Sequence, residues 1–432
     1  MNFQEAEAYL YSLGNEVETM KLGLENITTL LDALGDPQNN YKKVQVAGTN
    51  GKGSVCAFLD SICRRANIRT GLYTSPHLIS IIERIRIDGA DVSEDDFAHL
   101  ATWVRSVSDS LVGEGKLESV PTYFEQVTAM ALLAFAEAEV ELAILETGLG
   151  GRYDAVTAAY AEIAAITHID LDHQEYLGET IEAIAAEKAA IITGPSLSLV
   201  IGAQSDAARA VIRGRCEEMG VLNTDEMYSR WTVRRVDADT VKVETSRHVF
   251  PSITLGLKGD HQVENAETAL NLAKVLQFEH GFESLDDDAI ITGLEAARHP
   301  GRLEYMGDNV LLDGAHNPGG ARAFRKFLNE NERRPITLIF GAMRDKSVAE
   351  IAEILWPGAE KVILTRPSNS RAMSSDELAE FVPAAIDADR IVKTDTVQEA
   401  IERARDITRP DGLIVVTGSL YLVGEVKKLL NN

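Results

Sequence analysis

A lysine set behind a run of small residues is the strongest chemical signal in this chain. Residues 43–54 read KVQVAGTNGKGS. The β-branched pair Val44 and Val46 leads into Gly48, Thr49, Asn50, Gly51, Lys52, Gly53 and Ser54, and apolar residues at helical spacing follow at Val55, Phe58, Leu59 and Ile62. Strand, small-residue turn and helix in that order make a phosphate cradle. The glycines let backbone N–H groups converge, the helix N-terminus adds partial positive charge, and the lysine adds a full one. The spacing is shorter than in the common phosphate loop, and Gly53 stands where Ser or Thr is usual, with Ser54 one place later. A plain glycine-rich turn would leave Lys52 without a purpose.

Other polar groups stand just past expected strands, where open α/β sheets bind ligands. Glu146 follows Leu142-Ala143-Ile144-Leu145 and precedes Thr147-Gly148-Leu149-Gly150-Gly151-Arg152. An acidic residue there suits Mg²⁺, or else caps a helix or simply solvates a strand end. The run His168-Ile169-Asp170-Leu171-Asp172-His173 comes after another strand. Taken alone, His173 reads as a surface or hydrogen-bonded histidine more readily than as a ligand, since magnesium prefers oxygen, and Asp170 and Asp172 suit loop solvation or capping equally well. Lys188, among alanines on a helix, either lays its stem over apolar surface or is neutralised by burial and becomes reactive. Further on, Asp313-Gly314 and Asn317-Pro318 read by default as turns, while Asp313 at a strand end could accept from a ribose hydroxyl and Arg302 could bind a phosphate. Gly341-Ala342-Met343-Arg344-Asp345-Lys346 and Thr417-Gly418-Ser419 occupy equivalent places.

These loops need parallel strands with helices between them. Strands are expected at 142–145, 163–166 and 197–201, with helices at 123–138, 179–192 and 207–219. The alternation predicts a doubly wound, mostly parallel α/β sheet. Residues 221–260 change to short alternating runs at 231–233, 241–243 and 253–255, which predict a small antiparallel patch, and a helix is expected at 261–277. A second α/β series begins after His299-Pro300-Gly301, with strands at 310–312, 336–340, 362–364 and 413–416. The expected boundary lies near residue 298, giving units of 1–298 and 299–432.

At 432 residues the chain exceeds one ordinary core. The balance of 42 basic against 67 acidic side chains, −25 in net charge, argues against nucleic acid or an anionic membrane as a partner. An anionic small substrate is still admissible, because local cations can invert the field in a cleft. Cys56, Cys63 and Cys216 form no paired framework and fit a reducing compartment. The opening MNFQEAEAYLYSLG has no signal-peptide pattern, and no apolar stretch approaches the about 18 residues of a membrane span. The expectation is a cytoplasmic protein.

Taken together, GTNGKGS (48–54), YTSPHL (73–78), TYFE (122–125), ETGLGGRYDA (146–155), LDHQEYLG (171–178) and AAEKAAI (185–191) resemble the folylpolyglutamate synthase/dihydrofolate synthase family. So do GDHQVENAETAL (259–270), PGRLE (300–304), LDGAHNP (312–318), GAMRDKS (341–347) and TGSLYLVGEV (417–426). The resemblance runs in consistent order from about Gly23 to the C-terminus. It implies an ATP-dependent amide ligase of the Mur ligase superfamily, with an N-terminal P-loop ATPase domain, a C-terminal Rossmann-like domain, and substrates between them. Carried over by motif, Lys52, Gly53 and Ser54 hold the phosphates, and Asn265, Arg302 and Asp313 contact ATP. Ser75, Glu146 and His173 bind Mg²⁺, while Lys188 matches a lysine that can be carbamylated to serve a second metal ion. His316 and Ser419 fall near the incoming L-glutamate. Phe124, Glu125, Arg152 and Asp154 line the folate or dihydropteroate site. One departure is visible: the family commonly continues Ala-Thr-Asn after the aspartate, where this chain has Ala155-Val156-Thr157. The implied reaction activates a carboxylate as an acyl phosphate that the glutamate amine then attacks, with Lys52, Lys188, Asp313 and His316 as the expected catalytic groups. A monomer is the expectation, though nothing in the residues or the resemblance bears on it. A Mur-type ligase for another acid and amine, or a P-loop kinase, are the competing readings.

Overall fold

Parallel strands buried on both faces should read as near-continuous apolar runs, and the central strands do. The computed structural model describes residues 1–14, 23–194, 197–221, 231–237, 240–245 and 250–431. Within these, the first sheet has seven strands: β1 (Lys42–Ala47), β2 (Thr70–Tyr73), β3 (Ile85–Ile87), β4 (Ala90–Asp91), β5 (Leu142–Glu146), β6 (Ile163–Ile166) and β7 (Ser198–Ile201), in the order β4-β3-β2-β5-β1-β6-β7. The five strands from β2 to β7 in that order run parallel, and β3 and β4 add an antiparallel edge. Val44, Val46, Leu142 and Ile144 pack on one face with the helices Lys52–Arg65, His261–Glu279 and Asp287–Ala296. Ala143 and Leu145 face the helix Tyr123–Glu137 on the other.

The antiparallel patch is β8 (Trp231–Arg235), β9 (Thr240–Thr245) and β10 (Ile253–Thr254), in the order β10-β9-β8. Parts of the segment read as that patch (222–230, 238–239 and 246–249) lie outside the described residues. The second large sheet comprises β11 (Glu304–Met306), β12 (Val310–Leu312), β13 (Ile336–Phe340), β14 (Lys361–Leu364), β15 (Ile391–Lys393) and β16 (Leu413–Thr417), ordered β11-β12-β16-β13-β14-β15. All its pairs are parallel except β11–β12. The mostly parallel α/β architecture is therefore present twice. The helix Asp287–Ala296 and the edge strands β3 and β4 were not expected from periodicity, since short half-buried elements leave little pattern.

The helix Leu420–Asn431 of the second unit presses on the loop after β2. A Cβ built on Gly424 would run into the carbonyl oxygen of Leu78, a backbone atom that cannot swing aside. Gly424→Val is therefore expected to cost about 1–3 kcal/mol by overpacking. A thermal melt matching that of the parent protein would show that the two surfaces do not approach so closely.

Candidate active site between the two sheets

Strand order brings three of the chemical loops together. β1 lies between β5 and β6, and the register pairs Val46 with Glu146 and Ala47 with Ile166. The loops after β1, β5 and β6 thus leave the sheet side by side, at the carboxyl ends where such sheets bind ligands. Opposite them stand the loops after β12, β13 and β16. The cleft between has a volume of about 610 Å³, and Lys52, Glu146, Lys188, Arg302, Asp313 and Ser419 all line it.

The phosphate loop needs its glycines. Gly48 has φ +149° and a Cβ there would strike Thr167, while Gly51 has φ +94° and would strike Asn265. The Thr49 and Asn50 amides both donate to the His168 carbonyl, at 2.9 and 3.1 Å, which ties the loop to the one after β6. A helix begins at Lys52, so Gly53 and Ser54 lie in its first turn with amides directed at any anion in the cradle. Lys52 Nζ donates to the carbonyls of Gly48 (3.1 Å) and Thr49 (3.3 Å). The Ser54 hydroxyl accepts from Gln262, which in turn accepts from Asn265.

Lys188 is the second lysine on this loop. Its Nζ donates to the Gly48 carbonyl at 2.8 Å, and burial, reinforced by the charge of Lys52, brings its pKa down to about 7. The side chain is therefore buried with its amine on the phosphate loop, not laid out over an apolar surface.

Glu146 is buried, and its Oε2 accepts from the Ser75 amide at 3.1 Å. A Cβ on Gly53 would lie 3.3 Å from Glu146 Oε1, so this carboxylate faces the first turn of the phosphate-loop helix. Its oxygens, with Ser75, have the chemistry Mg²⁺ prefers. His173 is placed differently. Its Nε2 lies 3.0 Å from Lys346 Nζ, which must be the donor, and its Nδ1 is buried without a hydrogen-bond partner among the described residues. Burial, then Lys346, lowers its pKa to about 4. Among the described residues no three His, Cys, Asp or Glu side chains are grouped closely enough to hold a metal ion.

Asp172 joins the loop after β6 to the loops after β12 and β13. Its carboxylate accepts from Lys346 Nζ (2.9 Å) and Asn317 Nδ2 (3.0 Å), and His316 Nε2 is 3.8 Å away. Burial alone would raise its pKa, but Lys346, His316 and His173 hold the carboxyl well below the usual range. Asn317 also donates to Asn50 in the phosphate loop at 2.9 Å, and Arg322 donates to Asp170 at 3.2 Å. Asp172→Ala should cost about 3–5 kcal/mol, since it strands the buried ammonium of Lys346. Chemical denaturation reads this directly, and a loss well under that range would mean that water already screens the pair.

Asp313 accepts from the Leu303 and Ala315 amides, both at 3.0 Å; burial raises its pKa against the pull of Arg302. His316 Nδ1 donates to the Gly314 carbonyl at 2.8 Å, so its lone pair is on Nε2; burial takes its pKa down to about 3.

The far end of the cleft is more apolar, with Phe124, Leu149, Tyr153 and Ala155 around Asp154. Asp154 accepts from the Leu149 (2.8 Å) and Val156 (3.0 Å) amides, and burial raises its pKa to about 6 despite them. Glu125 also lines the cleft, but one oxygen is committed to the Thr122 amide at 2.7 Å in a capping box that starts the helix Tyr123–Glu137. Arg152 is not brought to the cleft. Its Nε pairs with Glu187 at 2.9 Å and its Nη2 reaches the Ala186 carbonyl at 3.5 Å, so the guanidinium is held by the helix Ile181–Ala189. The departure at Ala155-Val156-Thr157 also proves to be internal. The Thr157 hydroxyl is buried, donating to the Gly151 carbonyl (2.7 Å) and accepting from Gln45 (2.9 Å).

Residues 46–273 match the Mur ligase middle domain and residues 301–420 the Mur ligase glutamate ligase domain. A dihydrofolate synthase/folylpolyglutamate synthase of Mycobacterium tuberculosis is 34% identical, over 94% of this chain and 89% of its own. The chain belongs to the folylpolyglutamate synthase/dihydrofolate synthase family. A probable bifunctional folylpolyglutamate synthase/dihydropteroate synthase of Halobacterium salinarum is 36% identical over 99% of this chain but 51% of its own length. The chain thus spans about half the length of that relative, as it does of its Haloferax volcanii counterpart. Among solved structures, M. tuberculosis folylpolyglutamate synthase complexed with ADP and AMPPCP superposes with a TM-score of 0.87 at 32% identity, covering 100% of this chain and 98% of that one. A bifunctional folylpolyglutamate synthase/dihydrofolate synthase with Mn, AMPPNP and L-glutamate bound gives 0.85 at 28% identity, covering 100% and 98%. Lys346, Asn317, Asp345 and Arg371 are cleft residues to which the sequence assigned no role; a place after a strand was their signal, and no spacing rule distinguished them from ordinary loop residues.

Proposed function

We propose that this chain is an ATP-dependent ligase that joins L-glutamate to the carboxylate of a folate or of dihydropteroate through an acyl phosphate. The observation that carries the reading is the direct Asn317–Asn50 contact, which sets the second unit's loop after β12 against the phosphate loop across one cleft. A phosphoryl group on the cradle and an amine held by the second unit can then meet at a single carbon.

A carboxylate is a poor electrophile, so activation comes first: its oxygen attacks the γ-phosphorus and ADP leaves. Lys52, the loop amides and the helix N-terminus stabilise the charge on the transferred group. Mg²⁺ would be held by Ser75 and Glu146, with His173 joining once Lys346 releases its Nε2, and would supply further neutralisation of the phosphates. A carbamate on Lys188 would give an oxygen anion for a second ion. Asn265, Arg302 and Asp313 are assigned to the nucleotide. The amine then attacks the acyl carbon, phosphate departs, and an amide remains. Holding the two reactants together is worth on the order of 7–11 kcal/mol. A closed cleft keeps water from the intermediate. His316, with so low a pKa, orients through Nε2 and is a weak base for the attacking amine. Ser419 is assigned to the glutamate side. The apolar end around Phe124, Tyr153 and Asp154 is assigned to the flat acceptor.

The proposed units are 1–298 for ATP and acceptor, and 299–432 for glutamate. No helix in the described residues is long and apolar enough to cross a membrane. With net charge −25 this supports a cytoplasmic enzyme acting on small molecules and not on nucleic acid. We take it to be a monomer. The test is ADP release with Mg-ATP and L-glutamate, using dihydropteroate and tetrahydrofolate separately, and mass analysis of the product. Acceptor-dependent ADP with a glutamate mass added is the expected result. ADP release that ignores both acceptors would overturn the reading.

A further inference from the structure

Burying a carboxylate without hydrogen bonds is costly, so a folded protein that does so has a use for it. Asp345 is such a group. Its side chain is 16% exposed, and neither Oδ1 nor Oδ2 has a hydrogen-bond partner among the described residues. The nearest cations stand just beyond bonding distance: Arg371 at 3.6 Å and Lys346 at 3.7 Å. Lys346 is engaged elsewhere, with Asp172 and His173. Arg371 donates to the Tyr421 hydroxyl at 3.3 Å, which leaves most of its N–H fork for another acceptor. Asp345, Arg371 and Tyr421 all line the cleft.

The pair is rigidly built. Asp345 lies in the loop after β13 and Arg371 in the loop after β14, neighbouring parallel strands. The loops are zipped together. The Arg344 amide donates to the Arg371 carbonyl at 3.0 Å, the Met373 amide to the Ala342 carbonyl at 3.0 Å, and the Arg344 side chain to the Ala372 carbonyl at 2.8 Å. Met343 and Ala372 form an isolated antiparallel bridge between them. A carboxylate with open acceptor sites beside a guanidinium with open donors, on fixed backbone, is the complement of an α-amino acid. The charge of Asp345 is also felt at His173, which puts it near the phosphate-loop side of the cleft.

We propose that Asp345 receives the ammonium of the incoming amino acid and Arg371 its α-carboxylate, so that the pair positions the nucleophile. This rests on the ligase reading above and names the residues that select an amino acid for it. Asp345 is a positioning residue: it holds the nitrogen, and the attacking form arises when that nitrogen gives up a proton to solvent.

The test compares L-glutamate as substrate with glutarate, which keeps both carboxylates and lacks the amine, as a competitive inhibitor. The enzymes are the parent, Asp345→Asn and Arg371→Gln. A hydrogen bond to a charged group is worth ~10- to 100-fold in binding. Asp345→Asn should raise KM for glutamate by about that factor and leave KM for ATP unchanged, with glutarate inhibition within ~2-fold of the parent. Arg371→Gln should weaken glutamate and glutarate together. Where turnover is too slow, calorimetric titration with the same two compounds reads the same contrast. Equal loss of glutamate and glutarate in Asp345→Asn would overturn the proposal, since it would mean that Asp345 only props Arg371 and Lys346. A raised Mn²⁺ requirement with unchanged glutamate KM would overturn it in favour of a cation ligand. A parent enzyme with no glutamate-dependent ADP release would instead overturn the ligase reading itself.

Discussion

Lys52→Ala is expected to lower ATP-dependent ligation by about 10²–10³-fold or more, the scale for removing one charge-stabilising donor from a phosphoryl or oxyanion site. The fold should survive. Lys52 is half-buried at the first position of its helix, and the Gly48 carbonyl it serves also accepts from Lys188 at 2.8 Å. Losing the side chain therefore leaves no buried acceptor unpaired at Gly48. The measurement is single-turnover acyl-phosphate formation next to a thermal melt. A variant retaining most of its turnover with normal stability would remove Lys52 from the mechanism. Because the charge of Lys52 helps depress Lys188, the same variant should also move the Lys188 titration upward.

Lys188→Met is the second large effect, expected at about 10²-fold in turnover if the amine supplies a carbamate oxygen to a metal ion. A carbamate would form by addition of the neutral amine to CO₂ with loss of a proton, and the fraction of Lys188 that is neutral grows as pH rises through about 7. Activity at fixed dissolved CO₂ should therefore climb from pH 6 to pH 8, and ¹³C-labelled bicarbonate should give a carbamate resonance that Lys188→Met lacks. Bicarbonate-independent activity in both proteins would discard the carbamate. Stability carries the same signature. The unfolded lysine keeps its protons up to about 10.5, whereas the folded one releases them near 7, so the unfolded chain binds more protons between those values. Stability from this group rises with pH across that window, and the burial penalty is complete below about 7. The melting advantage of Lys188→Met over the parent should be largest at pH 6 and shrink toward pH 9.

Much of the fold was legible because its signals are local. A strand buried on both faces needs a run like Leu142-Ala143-Ile144-Leu145, and a helix between strands needs apolar residues at its own period. The weak signals were lost where burial is partial, as in β3, β4 and the helix Asp287–Ala296. The site was legible in a different way. Lys52, Glu146 and Asp313 announced themselves by type and by position after a strand, Lys188 by standing among alanines on a helix, and His316 through the family resemblance; all of them line the cleft. Arg152, which the resemblance alone set at the acceptor end, went elsewhere, because Glu187 stands 2.9 Å away. Thr157 looked like a lost amide at the acceptor end, yet its hydroxyl is spent inside the protein on Gly151 and Gln45.

The amino-acid sequence by itself determined the alternating α/β pattern, the phosphate cradle and which loops could bear chemistry, because small residues, caps and apolar periods act over a few positions. Only the tertiary structure decided which of those loops face one another. Lys346 meets Asp172 across 174 positions, Asn317 meets Asn50 across 267, and Asp345 lies beside Arg371. Such pairings follow from strand order and register, and a shift of a few tenths of an ångström decides whether a charge is bonded or left for a substrate.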